Sequence, residues 1–196
     1  MTRSHFDSAS ATVQAAQLDM RHAYFGGGPG ILISGIVWAI AAIVCAQLSP
    51  TRGIWALFIG GMFIHPVSVV VVRMLGRTGS HTPGNSMGAL AMATTFWMIL
   101  SFPIAYAASM FQIEWFFPAM LGVIGGRYLT FATIYGARIY WVFGAVLAVA
   151  GWLLAQALAA PHISAAAGAA IEAAFAIVIY MSARRENAGA IPAQAA

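Results

Sequence analysis

Residues 53–73 of the chain read GIWALFIGGMFIHPVSVVVVR, and this stretch decides the class of protein. Between Gly53 and Val72 there is no Asp, Glu, Lys or Arg, and His65 is the only side chain that titrates near neutral pH. A helix needs roughly 20 apolar residues to cross about 30 Å of hydrocarbon, because each residue adds about 1.5 Å to its length. The stretch is therefore long and apolar enough to form a transmembrane helix.

The same criterion, applied along the whole chain, predicts six transmembrane helices. Their approximate ranges are 29–48, 53–73, 87–109, 114–135, 138–159 and 163–182. Polar, Gly-rich or Pro-rich links separate these ranges, and the shortest link lies near Gly136. We therefore predict an all-α, polytopic bundle of six helices over residues 29–182. A cytoplasmic segment over 1–28 precedes the bundle, and residues 183–196 form a cytoplasmic tail that we predict to be disordered.

The composition supports a membrane protein and excludes several other classes. Of the 196 residues, 61% are hydrophobic and only 7% are charged, whereas a soluble domain carries about 25% charged residues. So few charges cannot cover a water-exposed surface, which excludes a soluble enzyme, a nucleic-acid-binding module and a disordered chain. A single Cys excludes a disulfide scaffold. The five His are scattered along the chain, so we predict no metal site, no cofactor and no catalytic residue.

The arginines predict the orientation of the bundle. With the N-terminus inside, only Arg52 lies outside and Arg127 lies within the fourth span. The other seven basic residues lie inside, namely Arg3, Arg21, Arg73, Arg77, Arg138, Arg184 and Arg185. Basic residues are enriched in the cytoplasmic loops of membrane proteins. We therefore predict a multi-pass protein of the inner (cytoplasmic) membrane with both termini in the cytoplasm.

The segment before the first span has the pattern of a short amphipathic helix, over residues 8–24. Its apolar stripe consists of Val13, Ala16, Met20 and Ala23. Such a helix either lies on the inner leaflet or gates a cytoplasmic opening. The alternative is an ordinary lead-in helix that packs on the bundle. The glycine-rich run at 26–30 then lets the chain turn into the membrane.

Three ionisable side chains lie within the predicted spans at similar depths. Counting from the outer ends places His65, Arg127 and Glu172 roughly 18, 20 and 15 Å deep, at about 1.5 Å per residue. A charge at mid-membrane costs at least about 2.5–3.5 kcal/mol on insertion scales. We therefore expect Glu172 to accept a bidentate hydrogen bond from Arg127. Together with Tyr128, the three groups form either a substrate or proton site or a structural lock that fixes the helix register.

Two prolines predict hinges in the spans. Pro66 follows His65 directly and leaves the carbonyl of Met62 without its usual intrahelical donor. Pro103 has the same effect in the third span, where a kink that serves only packing is the alternative.

Basic side chains at the inner ends of the second and fourth spans predict an inner vestibule. Its residues are Arg73, Arg77, Thr130 and Arg138, and Arg138 lies within about 20° of Arg127 on the helical wheel. Such a surface attracts anions, which would be solutes or lipid headgroups. The alternative is that arginine at these inner ends only sets the topology.

Several stretches resemble a family of uncharacterised bacterial integral membrane proteins of about this length. They are MRHAYFGGGPG at 20–30, WFFP at 115–118 and GGRYLTF at 125–131, the last continuing through Tyr140-Trp141. The resemblance covers residues 15–155. It implies a bacterial inner membrane and no particular activity.

These observations predict a channel or transporter for a small polar solute, anionic if Arg127 binds it. In this interpretation His65 is the proton-sensitive group, Arg127 the charge that holds the substrate or Glu172, and Glu172 the counter-charge. The alternative is a non-transporting membrane scaffold or accessory subunit, and an intramembrane enzyme is a third interpretation. The expected partners are the lipid bilayer, a solute or lipid, and further copies of the chain in a homo-oligomer. No nucleic-acid partner is expected.

Overall fold

The computed structural model describes residues 2–190, with side chains described over 12–185. The helices are α1 (Thr2–Tyr24), α2 (Gly28–Gln47), α3 (Pro50–Met74), α4 (Ser86–Phe111), α5 (Phe116–Tyr135), α6 (Ile139–Gln156) and α7 (Pro161–Ala190). Short 3₁₀ turns at Phe25–Gly27 and Ile113–Trp115 precede α2 and α5. Six helical segments are long and apolar enough to cross a membrane, and they contain α2 to α7. The predicted all-α, six-helix membrane architecture is therefore confirmed.

Local sequence signals explain where the helices begin and end. The side chain of Ser49 accepts a hydrogen bond from the backbone N–H of Arg52 and so caps α3. The side chain of Asn85 caps α4 in the same way, through the N–H of Met87. Gly136, at a φ of 61°, ends α5 in the left-handed conformation that glycine adopts without strain. The shortest of the predicted links is thus a tight glycine turn.

The last helix is longer than the predicted span at 163–182. α7 continues through residues 183–190, the first part of the segment assigned to the tail. Residues 191–196 of that segment lie outside the described residues.

Two pairs of closely packed helices form the centre of the bundle. The first and last spanning helices, α2 and α7, share the most extensive interface, and α5 packs closely on α6. Glycines allow the close approach: an added Cβ on Gly125 would lie 2.7 Å from the carbonyl oxygen of Gly144, and one on Gly144 would lie 2.6 Å from that of Gly125. Small residues at helix contacts are the usual means of close packing within membranes.

Aromatic rings fill the space between these two pairs. The ring of Phe143 on α6 stacks on Tyr128 of α5, with centroids 4.1 Å apart, and on Phe175 of α7, with centroids 4.5 Å apart. Tyr140, which is fully buried, stacks on Tyr128 beside them. The interior at the level of Tyr128 is therefore closely packed.

The helices α3 and α4 lie at the edges of the bundle. α3 packs mainly on α2, and α4 mainly on α5. The two helices meet through aromatic rings in the N-terminal half of α3. There the ring centres of Phe58 and Phe102 lie 4.3 Å apart, and Trp55 also contacts Phe102. In the part of the chain whose side chains are described, no ring pair or side-chain hydrogen bond joins the other halves of α3 and α4.

The N-terminal helix is tied to one end of the bundle. Gln17 donates a hydrogen bond to the carbonyl of Thr133, at 2.7 Å. The carboxylate of Asp19 accepts three bonds: from the backbone N–H of Thr82 at 2.9 Å, its hydroxyl at 3.1 Å and the Asn85 amide at 2.7 Å. This end of the bundle, formed by α1, the loop 75–85 and Gly136, is called the α1 face below. The described part of α1 thus packs on the bundle, as a lead-in helix does.

The carboxylate of Asp19 lies outside the spanning helices and its titration reflects these contacts. Partial burial raises its pKa, but the hydrogen bonds from Asn85 and Thr82 together outweigh this effect. The pKa of Asp19 therefore lies below its ordinary value of 3.8.

Candidate functional site

Glu172 is fully buried where α2, α5 and α7 meet. Its Oε1 accepts a hydrogen bond from the hydroxyl of Tyr128, at 3.3 Å. Ser34 of α2, which is also buried, interacts with both side chains. The second carboxyl oxygen, Oε2, has no hydrogen-bond partner among the described residues. The carboxyl group is thus held by hydroxyls only.

Arg127 directly precedes Tyr128 in α5, and its side chain faces α4. Its Nη2 donates to the hydroxyl of Thr95, at 3.1 Å, and its Nη1 to the sulfur of Met98, at 3.7 Å. The guanidinium carbon lies 5.2 Å from the centre of the Phe131 ring. Nε is buried and has no partner in the described part of the chain. All these contacts are to neutral groups, so no carboxylate of residues 12–185 is bonded to the guanidinium.

The predicted hydrogen bond between Arg127 and Glu172 is not formed, and that expectation is wrong for this structure. Successive residues of an α-helix point about 100° apart, so Arg127 and Tyr128 cannot face the same neighbour. Tyr128 faces α7 and reaches Glu172, while Arg127 faces α4. The direction of each side chain, which depth along the helix does not determine, decides the partner.

His65 lies apart from the other two ionisable groups. Its side chain is exposed on the outer surface of α3, next to the exposed Met62 and Phe63. Its backbone carbonyl accepts a hydrogen bond from Ser68, at 2.8 Å, and its imidazole bonds to neither Arg127 nor Glu172. The structure therefore does not assemble the three predicted groups into one site.

The two predicted hinge prolines lie inside uninterrupted helices. Pro66 is in α3 and Pro103 in α4, and both side chains are exposed. Whether the helices bend about them during function stays a prediction.

The predicted vestibule residues divide into two groups. Arg73 and Arg77 lie at the loop 75–85. Nε of Arg73 donates a hydrogen bond to the carbonyl of Thr78 in this loop, at 3.2 Å, and Arg77 bonds to His22 of α1. Thr130 instead donates to the carbonyl of Arg127 in its own helix, at 2.7 Å. Arg138 is exposed at the start of α6. No described side-chain contact joins Arg73 and Arg77 to the other two.

Several residues of these sites were not expected from the sequence. Thr95 and Met98 bind Arg127, and Ser34 accompanies Glu172. Hydroxyl groups inside apolar spans are a signal that could have indicated Thr95 and Ser34, because they satisfy polar groups within membranes. Nothing in the sequence distinguishes Met98 from a lipid-facing methionine.

The comparison with known families agrees with the architecture. The model of a family of unknown function, DUF7010, matches residues 13–182 and so extends over all six spanning helices. No curated protein matches the chain, and no solved structure does either. The match confirms the resemblance to an uncharacterised membrane family. The chain therefore belongs to DUF7010, a family of unknown function.

Proposed function

We propose that this protein is a membrane channel or transporter for a small anionic solute and that Arg127 binds the anion. The observation that carries the proposal is the guanidinium of Arg127, whose hydrogen bonds and ring contact within the described residues are to the neutral groups of Thr95, Met98 and Phe131. A charge removed from water without a counter-charge keeps its desolvation cost. An anion at Arg127 would offset that cost.

The depth of Arg127 supports this proposal. The residue is 11 positions after Phe116 and 8 before Tyr135, the two ends of α5. At about 1.5 Å per residue, Arg127 lies roughly 17 Å from one end of the helix and 12 Å from the other. Ionisable groups at this depth in membrane proteins mark solute or ion pathways.

The arrangement of α3 and α4 supports an approach from the α1 face. The ring contacts of Phe58 and Trp55 with Phe102 join the two helices near the opposite end. Toward the α1 face, α4 carries Thr95, which holds Arg127. Arginines at this face would raise the local concentration of anions. We further propose, from the distribution of arginines, that the α1 face is cytoplasmic.

A non-transporting scaffold or accessory subunit is the second candidate. It is favoured by the close packing around Tyr128, whose ring stacks on Phe143, because such a centre suits a structural lock. In that case Arg127 only joins α5 to α4. His65 has no role in either proposal, because it is exposed and unbonded to Arg127 and Glu172. The homo-oligomer stays a prediction, since one chain is described.

Flux measurements on the purified full-length protein in liposomes test the two candidates. Swelling is recorded by light scattering in gradients of potassium nitrate, potassium formate or potassium phosphate, with valinomycin to carry K⁺. Urea serves as the neutral solute and protein-free liposomes give the background. We expect anion flux above background, reduced at least about tenfold in Arg127→Gln and partly retained in Arg127→Lys. Tenfold corresponds to about 1.4 kcal/mol, a modest value for losing one charge-assisted contact.

The matched control is Arg52→Gln, because Arg52 is exposed at the end of the bundle opposite the α1 face. This variant should keep the wild-type rate. Circular dichroism and size-exclusion chromatography check that all variants are folded. Wild-type flux equal to the background, or unchanged flux in a folded Arg127→Gln, contradicts anion transport through Arg127 and favours the scaffold.

A further inference from the structure

A cavity of about 410 Å³ opens at the α1 face, between the end of α1 and the loop 75–85. Its polar lining consists of the charged Arg77 and Asp19, the imidazoles of His22 and His81, and the hydroxyl-bearing Thr78, Ser80 and Thr82. None of these residues contacts Arg127. The inference drawn from this cavity is therefore independent of the proposed function.

The guanidinium of Arg77 is held in a fixed orientation at the cavity. Its Nη1 donates a hydrogen bond to Nδ1 of His22, at 2.8 Å. Its central carbon lies over the face of the Phe25 ring, 5.0 Å from the ring centre. Arg77 bonds to no carboxylate in the described part of the chain. Its charge and its remaining N–H groups are thus free for a ligand.

The contact with Arg77 also fixes the tautomer of His22. A guanidinium can only donate, so Nδ1 of His22 must be the acceptor. The hydrogen of the neutral imidazole is then on Nε2, which makes His22 a second hydrogen-bond donor at the cavity. Arginine and histidine together provide only donors there.

One carboxylate, that of Asp19, also lines the cavity. Both of its oxygens already accept hydrogen bonds, from the backbone and hydroxyl of Thr82 and from the amide of Asn85. These bonds hold the loop against α1 and so shape the wall of the cavity. The carboxylate keeps its negative charge, but its oxygens are bonded to Thr82 and Asn85, and Arg77 supplies the positive charge that an anionic ligand would contact.

The loop itself adds small polar groups next to Arg77. Gly76 and Gly79 have φ values of 85° and 63°, which let the loop turn tightly. Its bend is held by Nε of Arg73, which donates to the carbonyl of Thr78. Ser80 is exposed beside this bend. A planar guanidinium flanked by imidazole, hydroxyl and a glycine-containing turn is a combination suited to the oxygens of phosphate.

We propose that this cavity binds a phosphate group, with Arg77 as its charged ligand and His22 as a donor beside it. A volume of about 410 Å³ leaves room for a group esterified to the phosphate. The cavity lies at an end of the spanning helices, where the phosphates of a bilayer are also found. The phosphate therefore comes from a lipid headgroup or from a soluble compound, and these sources share the same binding chemistry.

Thermal unfolding of the full-length protein in detergent micelles tests the proposal. A ligand that binds only the folded state raises the unfolding temperature in proportion to its occupancy. The probes are inorganic phosphate and short-chain phosphatidic acid. Short-chain phosphatidylcholine is the comparison lipid, because its choline group screens the phosphate. Sodium chloride keeps the ionic strength equal in every sample.

We expect phosphatidic acid, inorganic phosphate or both to raise the midpoint in a saturable way. Arg77→Gln should weaken the apparent affinity at least about tenfold, and His22→Ala several-fold. Arg184 is exposed on α7 and does not line the cavity. The control variant Arg184→Gln should therefore bind the probes like the wild type. Should Arg77→Gln fail to fold, His22→Ala and Arg77→Lys give the same comparison.

The pattern of probes identifies the source of the phosphate. A shift with phosphatidic acid alone assigns the cavity to a lipid headgroup, and a shift with inorganic phosphate as well assigns it to a soluble compound. No saturable shift with either probe, or equal shifts in wild type and in the folded Arg77 and His22 variants, overturns the proposal.

Discussion

Adding one methyl group at Gly125 should destabilise the bundle, whereas the same change at Gly126 should not. A Cβ on Gly125 would lie 2.7 Å from the carbonyl oxygen of Gly144 and 3.0 Å from the backbone nitrogen of Ala148. Around Gly126, no described atom outside its own stretch of helix lies within 4 Å of the added Cβ. The two glycines are adjacent in α5, so each variant is a control for the other.

The size of the effect follows from these distances. Ordinary van der Waals contacts begin at 3.4 Å, so α5 and α6 must separate by roughly 0.7 Å, and overpacking of this kind costs about 1–3 kcal/mol. Alanine favours a helix over glycine by about 1 kcal/mol, but this gain is common to both variants and cancels in the comparison. Gly125→Ala should therefore be less stable than Gly126→Ala by about 1–3 kcal/mol.

Reversible unfolding by sodium dodecyl sulfate in mixed micelles, followed by circular dichroism, gives the free energy of unfolding of each variant. Gly144→Ala provides an independent repeat, because its Cβ would lie 2.6 Å from the carbonyl oxygen of Gly125. Equal unfolding free energies for Gly125→Ala and Gly126→Ala would refute the close contact between α5 and α6.

Three further predictions concern other parts of the molecule. In a double-mutant cycle, Tyr128→Phe and Glu172→Gln should show a coupling of about 0.6 kcal/mol, the usual size for a hydrogen bond within a membrane protein; additive effects would remove that bond. The lowered pKa of Asp19 means that its contacts stabilise the docked α1 above pH 3.8 and are lost as the pH falls through the lower folded value. After the intrinsic pH dependence of exchange is subtracted, the amides of α1 should be less protected near pH 3 than near pH 6. In Asp19→Asn this carboxyl group is absent, so the part of the protection that follows its ionisation should disappear. In cells, a cysteine at Ser80 should react only with permeant thiol reagents and a cysteine at Thr51 also with impermeant ones, and the reverse pattern would contradict the proposed orientation.

The sequence was sufficient to predict the spanning helices. The second predicted span, 53–73, corresponds to α3 at Pro50–Met74, because length and hydrophobicity alone determine which segments fit a bilayer. The close agreement extends to the short turn at Gly136, where glycine chemistry ends α5.

The candidate sites were harder to predict, because they depend on the direction in which each helix faces. α3 is apolar around its whole circumference, so its sequence does not reveal that His65 is exposed. In α5, Arg127 and Tyr128 are adjacent, and only the packing of the neighbouring helices shows which one reaches Glu172. The phosphate-binding cavity joins His22 to Arg77 across 55 positions of sequence, a distance that one sequence does not encode in any local pattern.

The extensive interface between α2 and α7 has a consequence for biosynthesis. These are the first and the last of the spanning helices, so a growing chain inserts its first helix long before the partner of that helix has been made. Throughout translation Ser34 remains without the helix that carries Glu172, and the site between α2, α5 and α7 forms only when the final helix enters the membrane. Quality control of a newly made chain would then depend on α7: without this helix, the surface of α2 that packs on α7 would be exposed to membrane proteases, while the contact between α2 and α3 could still form.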